Sequence, residues 1–154
     1  MRVAIYVEQM RRVVGDAAAL TAGLYDPDSN RMYMYDALGG VTKRKLSAAA
    51  ARTRMNANEL EGLLVDENIS TIVHEGIHQV AFNTGFHKRE IRHPVWFVEG
   101  LATLMEVPDK TSSKRWAGVG QINWDRADQL KQDLPSMEFG TLERLVTEDA
   151  FLRN

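Results

Sequence analysis

Within Thr71-Ile72-Val73-His74-Glu75-Gly76-Ile77-His78-Gln79, two histidines stand four residues apart and a glutamate follows the first. On an α-helix, residues four apart differ in direction by about 40°, so His74 and His78 leave one face a turn apart. Two imidazoles so placed can share one divalent metal ion, with zinc the usual occupant. Glu75 points about 100° round from His74, outside that bond but within reach of a water activated by the metal. A carboxylate there can take a proton from the water, which the metal acidifies towards a pKa of about 7. The pattern predicts a metal-dependent hydrolase helix. The plainer alternative is a helix whose histidines are surface or hydrogen-bonded residues.

The helix that positions these residues is written in an apolar stripe. Ile69, Ile72, Val73, Gly76, Ile77, Val80 and Ala81 recur at helical spacing from Glu67 onward, and His74 and His78 flank them. A mostly buried helix of this kind forms the floor of a cleft, with Asp66 or Asn68 as N-terminal cap and Gly85 as the stop. A second helix is predicted over Val95 to Glu106, with Pro94 at its first turn. It is apolar on nearly every face and should be buried on most sides. Glu99 is then an anomaly, because a buried carboxylate is costly unless it is paired or bound to a metal.

Catalytic zinc usually takes three protein ligands and one water. The extension with a further Gly and His fails here, since Ala81 and Thr84 occupy those positions. His87 and His93 remain open as ligands, but loop histidines are usually solvated. Glu99, 21 residues after His78 on the second helix, is the better third ligand. His74, His78 and Glu99 make the His₂Glu set of thermolysin-like zinc enzymes.

Around this pair of helices the chain reads as a single α+β domain over residues 1–154. Val3 to Val7 is a short β-rich run, and Glu8 to Val14 reads as helical turns. The second half of Ala17–Tyr25 and the stretch Arg31–Asp36 are predicted strands, joined by the turn Asp26-Pro27-Asp28-Ser29-Asn30. Residues 37–66 read as a variable excursion in which Gly39-Gly40 breaks the strand and the Ala48–Ala51 run permits a helix but shows no clear apolar face, with the basic cluster Lys43-Arg44-Lys45, Arg52 and Arg54 marking a solvated loop. Beyond Pro108, helices are expected over Asp125–Asp133 and Thr141–Thr147, with Trp116 and Trp124 as hydrophobic anchors.

Composition narrows the partners. A net charge of −2 argues against nucleic acid, for want of a basic excess to neutralise phosphates. No apolar run is long enough to span a membrane, and the start is too short for a signal peptide; the compartment stays undetermined. With no cysteine, disulfides and thiolate-rich metal sites are excluded, so any zinc must use histidine and carboxylate.

His74-Glu75-Gly76-Ile77-His78-Gln79 followed by Trp96-Phe97-Val98-Glu99-Gly100-Leu101-Ala102 resembles the gluzincin metallopeptidases, in which a Trp-x-x-Glu-Gly-x-Ala helix supplies the ligand glutamate. More narrowly, Gly23-Leu24-Tyr25-Asp26, Asn30-Arg31-Met32-Tyr33 and Val80-Ala81-Phe82-Asn83-Thr84-Gly85 look like a planctomycete-type bacterial family of unknown function within that clan. The resemblance implies a zincin-like fold, a small twisted sheet over the motif helix with the glutamate helix behind. It implies Zn2+ on His74, His78 and Glu99, Glu75 as general base and proton shuttle, and a peptide or protein substrate. The strand at Arg31–Tyr35, with Tyr33 and Tyr35, would be the rim along which an extended peptide adds.

The chain departs from gluzincins at two points. Val98 stands where an Asn usually supports the metal, and no Tyr follows Tyr35 and no His follows His93 to stabilise an oxyanion. Four downstream arginines, at 115, 126, 144 and 153, could substitute by charge. The resembled family continues into further helices past Asn154, which implies a fragment or a minimal domain. Two readings therefore compete with the peptidase: a metal- and peptide-binding module without turnover, and a structural metal domain of a larger protein.

Overall fold

The computed structural model describes residues 22–36, 38, 42–107, 109 and 118–148. The expected strand Val3–Val7, the helical turns Glu8–Val14 and Trp116 lie outside these residues. In chain order the elements are β1 (Gly23–Asp26), β2 (Arg31–Met34), α1 (Lys43–Thr53), α2 (Ala57–Asn83), α3 (Val95–Met105), α4 (Trp124–Asp133), a 3₁₀ turn (Leu134–Ser136) and α5 (Thr141–Thr147). The class is α+β: among the described residues there are one antiparallel hairpin and five helices, with α1, α3 and both strands packed against α2.

The hairpin forms where the turn chemistry asks for it. The Asp26 carboxylate accepts from the Asp28 N–H at 3.1 Å and from the Ser29 hydroxyl, and Asn30 takes a left-handed φ of 55°. The register pairs Gly23 with Met34, Leu24 with Tyr33, Tyr25 with Met32 and Asp26 with Arg31.

Residues 43–53 are helical, so the basic cluster expected to mark a solvated loop lies on or just after a helix that includes the helix-permissive Ala48–Ala51 run. Thr42 Oγ1 caps α1 by accepting from the Lys45 N–H, and Leu46 and Ala50, four apart, are buried against α2. The basic residues stay exposed on the outer side.

The motif helix begins at Ala57 rather than near Glu67. Asn56 accepts from the Glu59 N–H at 2.8 Å while Glu59 accepts from the Asn56 N–H at 3.0 Å, a reciprocal cap far upstream of Asp66. Asp66 is buried inside the helix, and Gly85, at φ 78°, follows its C-terminal cap Thr84. The apolar stripe is only partly buried, with Ala81 its one fully covered member. Ile72 is 46% and Val80 57% exposed, whereas Glu75, His78 and Ala81 are buried, because β1 and α3 lie over the side that carries the chemistry.

α3 also departs from expectation. Only Ala102 is buried, and Trp96 and Leu104 are exposed. Trp124 is exposed too, with Lys131 over its ring, rather than an anchor. His87 is fully buried, not solvated, among Phe82, Phe86, His93 and Phe97. Burial lowers its pKa, and neither ring nitrogen has a hydrogen-bond partner, so it packs as a neutral ring.

Arg89 fastens the hairpin to the end of α2. Its guanidinium donates to the carbonyls of Pro27 and Phe82, to the Tyr25 hydroxyl and to Asn83 Oδ1, all between 2.9 and 3.1 Å. Arg89→Ala should therefore cost about 1–2 kcal/mol in chemical denaturation, the modest figure reflecting its exposure. An unchanged midpoint would show that β1 is held without it.

Candidate metal centre

Three donor side chains meet between α2 and α3. His74 and His78 project from α2 with ring centroids 4.9 Å apart and planes near perpendicular. Glu99 projects from α3, placing Oε2 3.1 Å from His74 Nε2 and 3.6 Å from His78 Nε2. The ligating atoms all lie within 4.8 Å of one another, a group that could hold a metal ion. Bonds of about 2.0–2.1 Å at tetrahedral angles put ligand atoms about 3.4 Å apart, so the carboxylate-to-imidazole distances fit such an ion.

Glu99 is reached differently from the sequence argument. Its side chain is 52% exposed, not enclosed by apolar neighbours. Partial burial pushes its pKa up, but hydrogen bonds to His74 and His78 outweigh this and hold it at about 2. The carboxylate is ionised because it faces two imidazoles.

The sequence reading missed Glu106. It follows the end of α3, is 3% exposed, and places Oε2 2.5 Å from His74 Nδ1. With Nδ1–H donating to Glu106, the Nε2 lone pair of His74 faces the metal position, the usual way a carboxylate fixes a ligand imidazole. The signal was present: residues seven apart on a helix differ by about 20° in direction, so Glu99 and Glu106 share a face two turns apart. Burial works against protonating His74, but the hydrogen bonds to Glu106 and then Glu99, with the charges of Glu106 and Glu75, raise its pKa to about 9.

Glu75 lies beneath β1. Burial raises its pKa; the His74 and His78 charges and a hydrogen bond from the Tyr25 backbone N–H pull the other way. Gly23 makes this approach feasible. A Cβ there would stand 2.5 Å from Thr71 Cγ2 and 2.9 Å from Glu75 Cγ, so no larger residue fits without moving the strand or the carboxylate.

These groups open onto a cleft of about 750 Å³ that runs along α2 from Glu67 to Phe82, with the metal group midway. Its rim is β1, through Gly23, Leu24 and Tyr25. Tyr33 pairs with Leu24 in β2, and neither Tyr33 nor Tyr35 lines the cleft. His87 and His93 stand apart from the metal group. Of the two described downstream arginines, Arg126 lines the cleft, while Arg144 pairs with Glu138 and Glu148.

A family model described as protein of unknown function (DUF1570) matches residues 68–154, more than half of the chain and the stretch that carries His74, His78, Glu99, Glu106 and Arg126. No curated protein and no solved structure matches.

Metal uptake must displace the proton that His74 carries below about pH 9. Because Glu99 stays ionised down to about pH 2, the sign is set by the imidazole: affinity should fall as pH falls, approaching tenfold per unit below pH 9 and amounting to about 50-fold between pH 9 and 7. Chelator competition at several pH values measures this. A flat profile would show that His74 is neutral before the metal arrives.

Proposed function

We propose that this chain, which belongs to the DUF1570 family, is a zinc-dependent hydrolase of gluzincin type with a zincin-like fold, acting on peptide or protein substrates. The observation that carries the reading is the convergence of His74, His78 and Glu99 on one point with the Glu75 carboxylate beside it under β1. Two imidazoles and one carboxylate, with no thiolate, suit zinc. When bound, zinc supplies Lewis acidity to water and to a scissile carbonyl.

This chain's own residues do the rest. Glu75 takes the proton as the water oxygen bonds to the carbonyl carbon, and its raised pKa suits that task. It then returns the proton to the leaving nitrogen as the carbon–nitrogen bond breaks. The Tyr25 N–H keeps the carboxylate pointed into the cleft through both transfers.

β1, rather than β2, is the strand that offers an edge to substrate. The Tyr35 N–H donates to the Ala22 carbonyl, so Ala22 and Tyr35 form a hydrogen-bonded pair. Antiparallel alternation then turns the main-chain groups of Gly23 and Tyr25 away from β2, towards the cleft, where the Tyr25 N–H is taken by Glu75 and the Gly23 groups and the Tyr25 carbonyl are left to pair with substrate. An extended peptide can add there by β-pairing. The cleft continues on both sides of the metal group, which accommodates chain on either side of the cleaved bond.

Glu75→Gln should lower peptide hydrolysis by about 10²–10⁴-fold with zinc still bound one to one. A parent that binds zinc yet cleaves no member of a peptide library would turn the reading into that of a metal-binding module. Gly23→Ala should cost on the order of 100-fold in rate at unchanged zinc content, since an ångström of displacement at Glu75 suffices. Parental kinetics in that variant would separate β1 from the chemistry.

A further inference from the structure

We infer that the first turn of α4 is a positioning clamp for the metal centre, acting through Glu106, and that Arg126 is its principal residue. The inference rests on the metal-centre reading above and extends it to a helix that contributes no ligand. Glu106 offers two carboxylate oxygens, and both are used. Oε2 holds His74 Nδ1 at 2.5 Å; Oε1 accepts from Arg126 Nε and from Asn123 Nδ2, the latter at 3.3 Å. Asn123 is also the N-terminal cap of α4, its Oδ1 accepting from the Arg126 N–H at 3.2 Å. One asparagine thus sets where the helix begins and grips the carboxylate, and the arginine it caps grips the same oxygen.

The consequence is directional. A carboxylate held only at Oε2 can turn about its last bonds; held at both oxygens, it fixes the plane and tilt of the imidazole it supports. In gluzincins that orienting task falls partly to the residue before the ligand glutamate, which here is the apolar Val98. Arg126 is suited to the replacement because its planar fork donates along a defined direction. α4 has no buried residue of its own, so its contact with Glu106 is not a by-product of core packing. Arg126 is 59% exposed, and it reaches the buried Glu106 from the cleft wall.

Arg126 touches neither metal nor substrate in this scheme, so its test needs readouts that loss of packing would not move. The full chain and its Arg126→Gln and Arg126→Lys variants would be loaded with zinc in chelator competition, then with cobalt(II) to record the visible spectrum. Arg126→Gln should weaken zinc binding about 10–100-fold and shift the cobalt bands, while the metal-free protein, having lost one partner of a buried carboxylate, melts at a lower temperature but still cooperatively. Arg126→Lys should recover most of the affinity. Asn123→Ser keeps a capping oxygen but loses the amide donor, and should give a smaller loss in the same direction. Parental affinity and an unshifted spectrum in both Arg126→Gln and Asn123→Ser overturn the inference alone. A parent that takes up neither metal overturns the metal-centre reading and this inference with it.

Discussion

One imidazole held from both ends is the constraint on which the rest of the site depends. His74 faces Glu99 through Nε2 and Glu106 through Nδ1. Glu99 comes from α3, Glu106 is the residue that caps its end, and the imidazole comes from α2, so the contacts also fix how the two helices pack. They leave little freedom in where His78, one turn on, can point. Metal geometry and helix packing are the same problem here.

This explains an inversion in α2. A surface helix ordinarily turns its apolar stripe inward. Here the face carrying Glu75 and His78 is covered, by β1 and α3, while Ile72 and Val80 of the apolar stripe are exposed. Buried charge is tolerable only when it is compensated, and compensation is what these groups give each other: Glu75 receives the Tyr25 N–H and the imidazole charges, and Glu106 receives His74 and Arg126. Gly23 allows the cover to come close enough, and Arg89 ties down the hairpin that supplies it.

The grouping of His74, His78 and Glu99, which could hold a metal ion, was legible because helical spacing is local: four residues from His74 to His78, and a Glu on a second helix of obvious apolar character. That argument reached Glu99 through a premise the structure does not bear out, since the carboxylate is half exposed and is kept ionised by the histidines. The start of α2 was hidden because the eye follows apolar periodicity, and Asn56 with Glu59 is a polar signal lying ahead of it. The choice between β1 and β2 could not be read from the sequence. It depends on which strand the tertiary packing lays over Glu75, and the close approach that Gly23 permits shows only once α2 is in place beneath it. Glu106 was recoverable from its seven-residue spacing to Glu99, whereas Arg126 lies 20 residues further on, on another helix, and no local pattern encodes its contact with Glu106.

Charge balance joins these observations. In the metal-free arrangement a protonated His74 and Arg126 face three carboxylates, Glu75, Glu99 and Glu106, leaving the group with one excess negative charge when Glu75 is ionised. Replacing the His74 proton by a dication brings the same set to neutrality. The covered cleft therefore has an electrostatic reason to accept a doubly charged ion that is independent of ligand geometry, because excess charge out of full contact with water is costly. Without Arg126 that neutrality would be lost, and the residual negative charge would fall on Glu106, the most buried member of the set. A helix with no buried residue can matter to the centre for this reason: it brings the last charge.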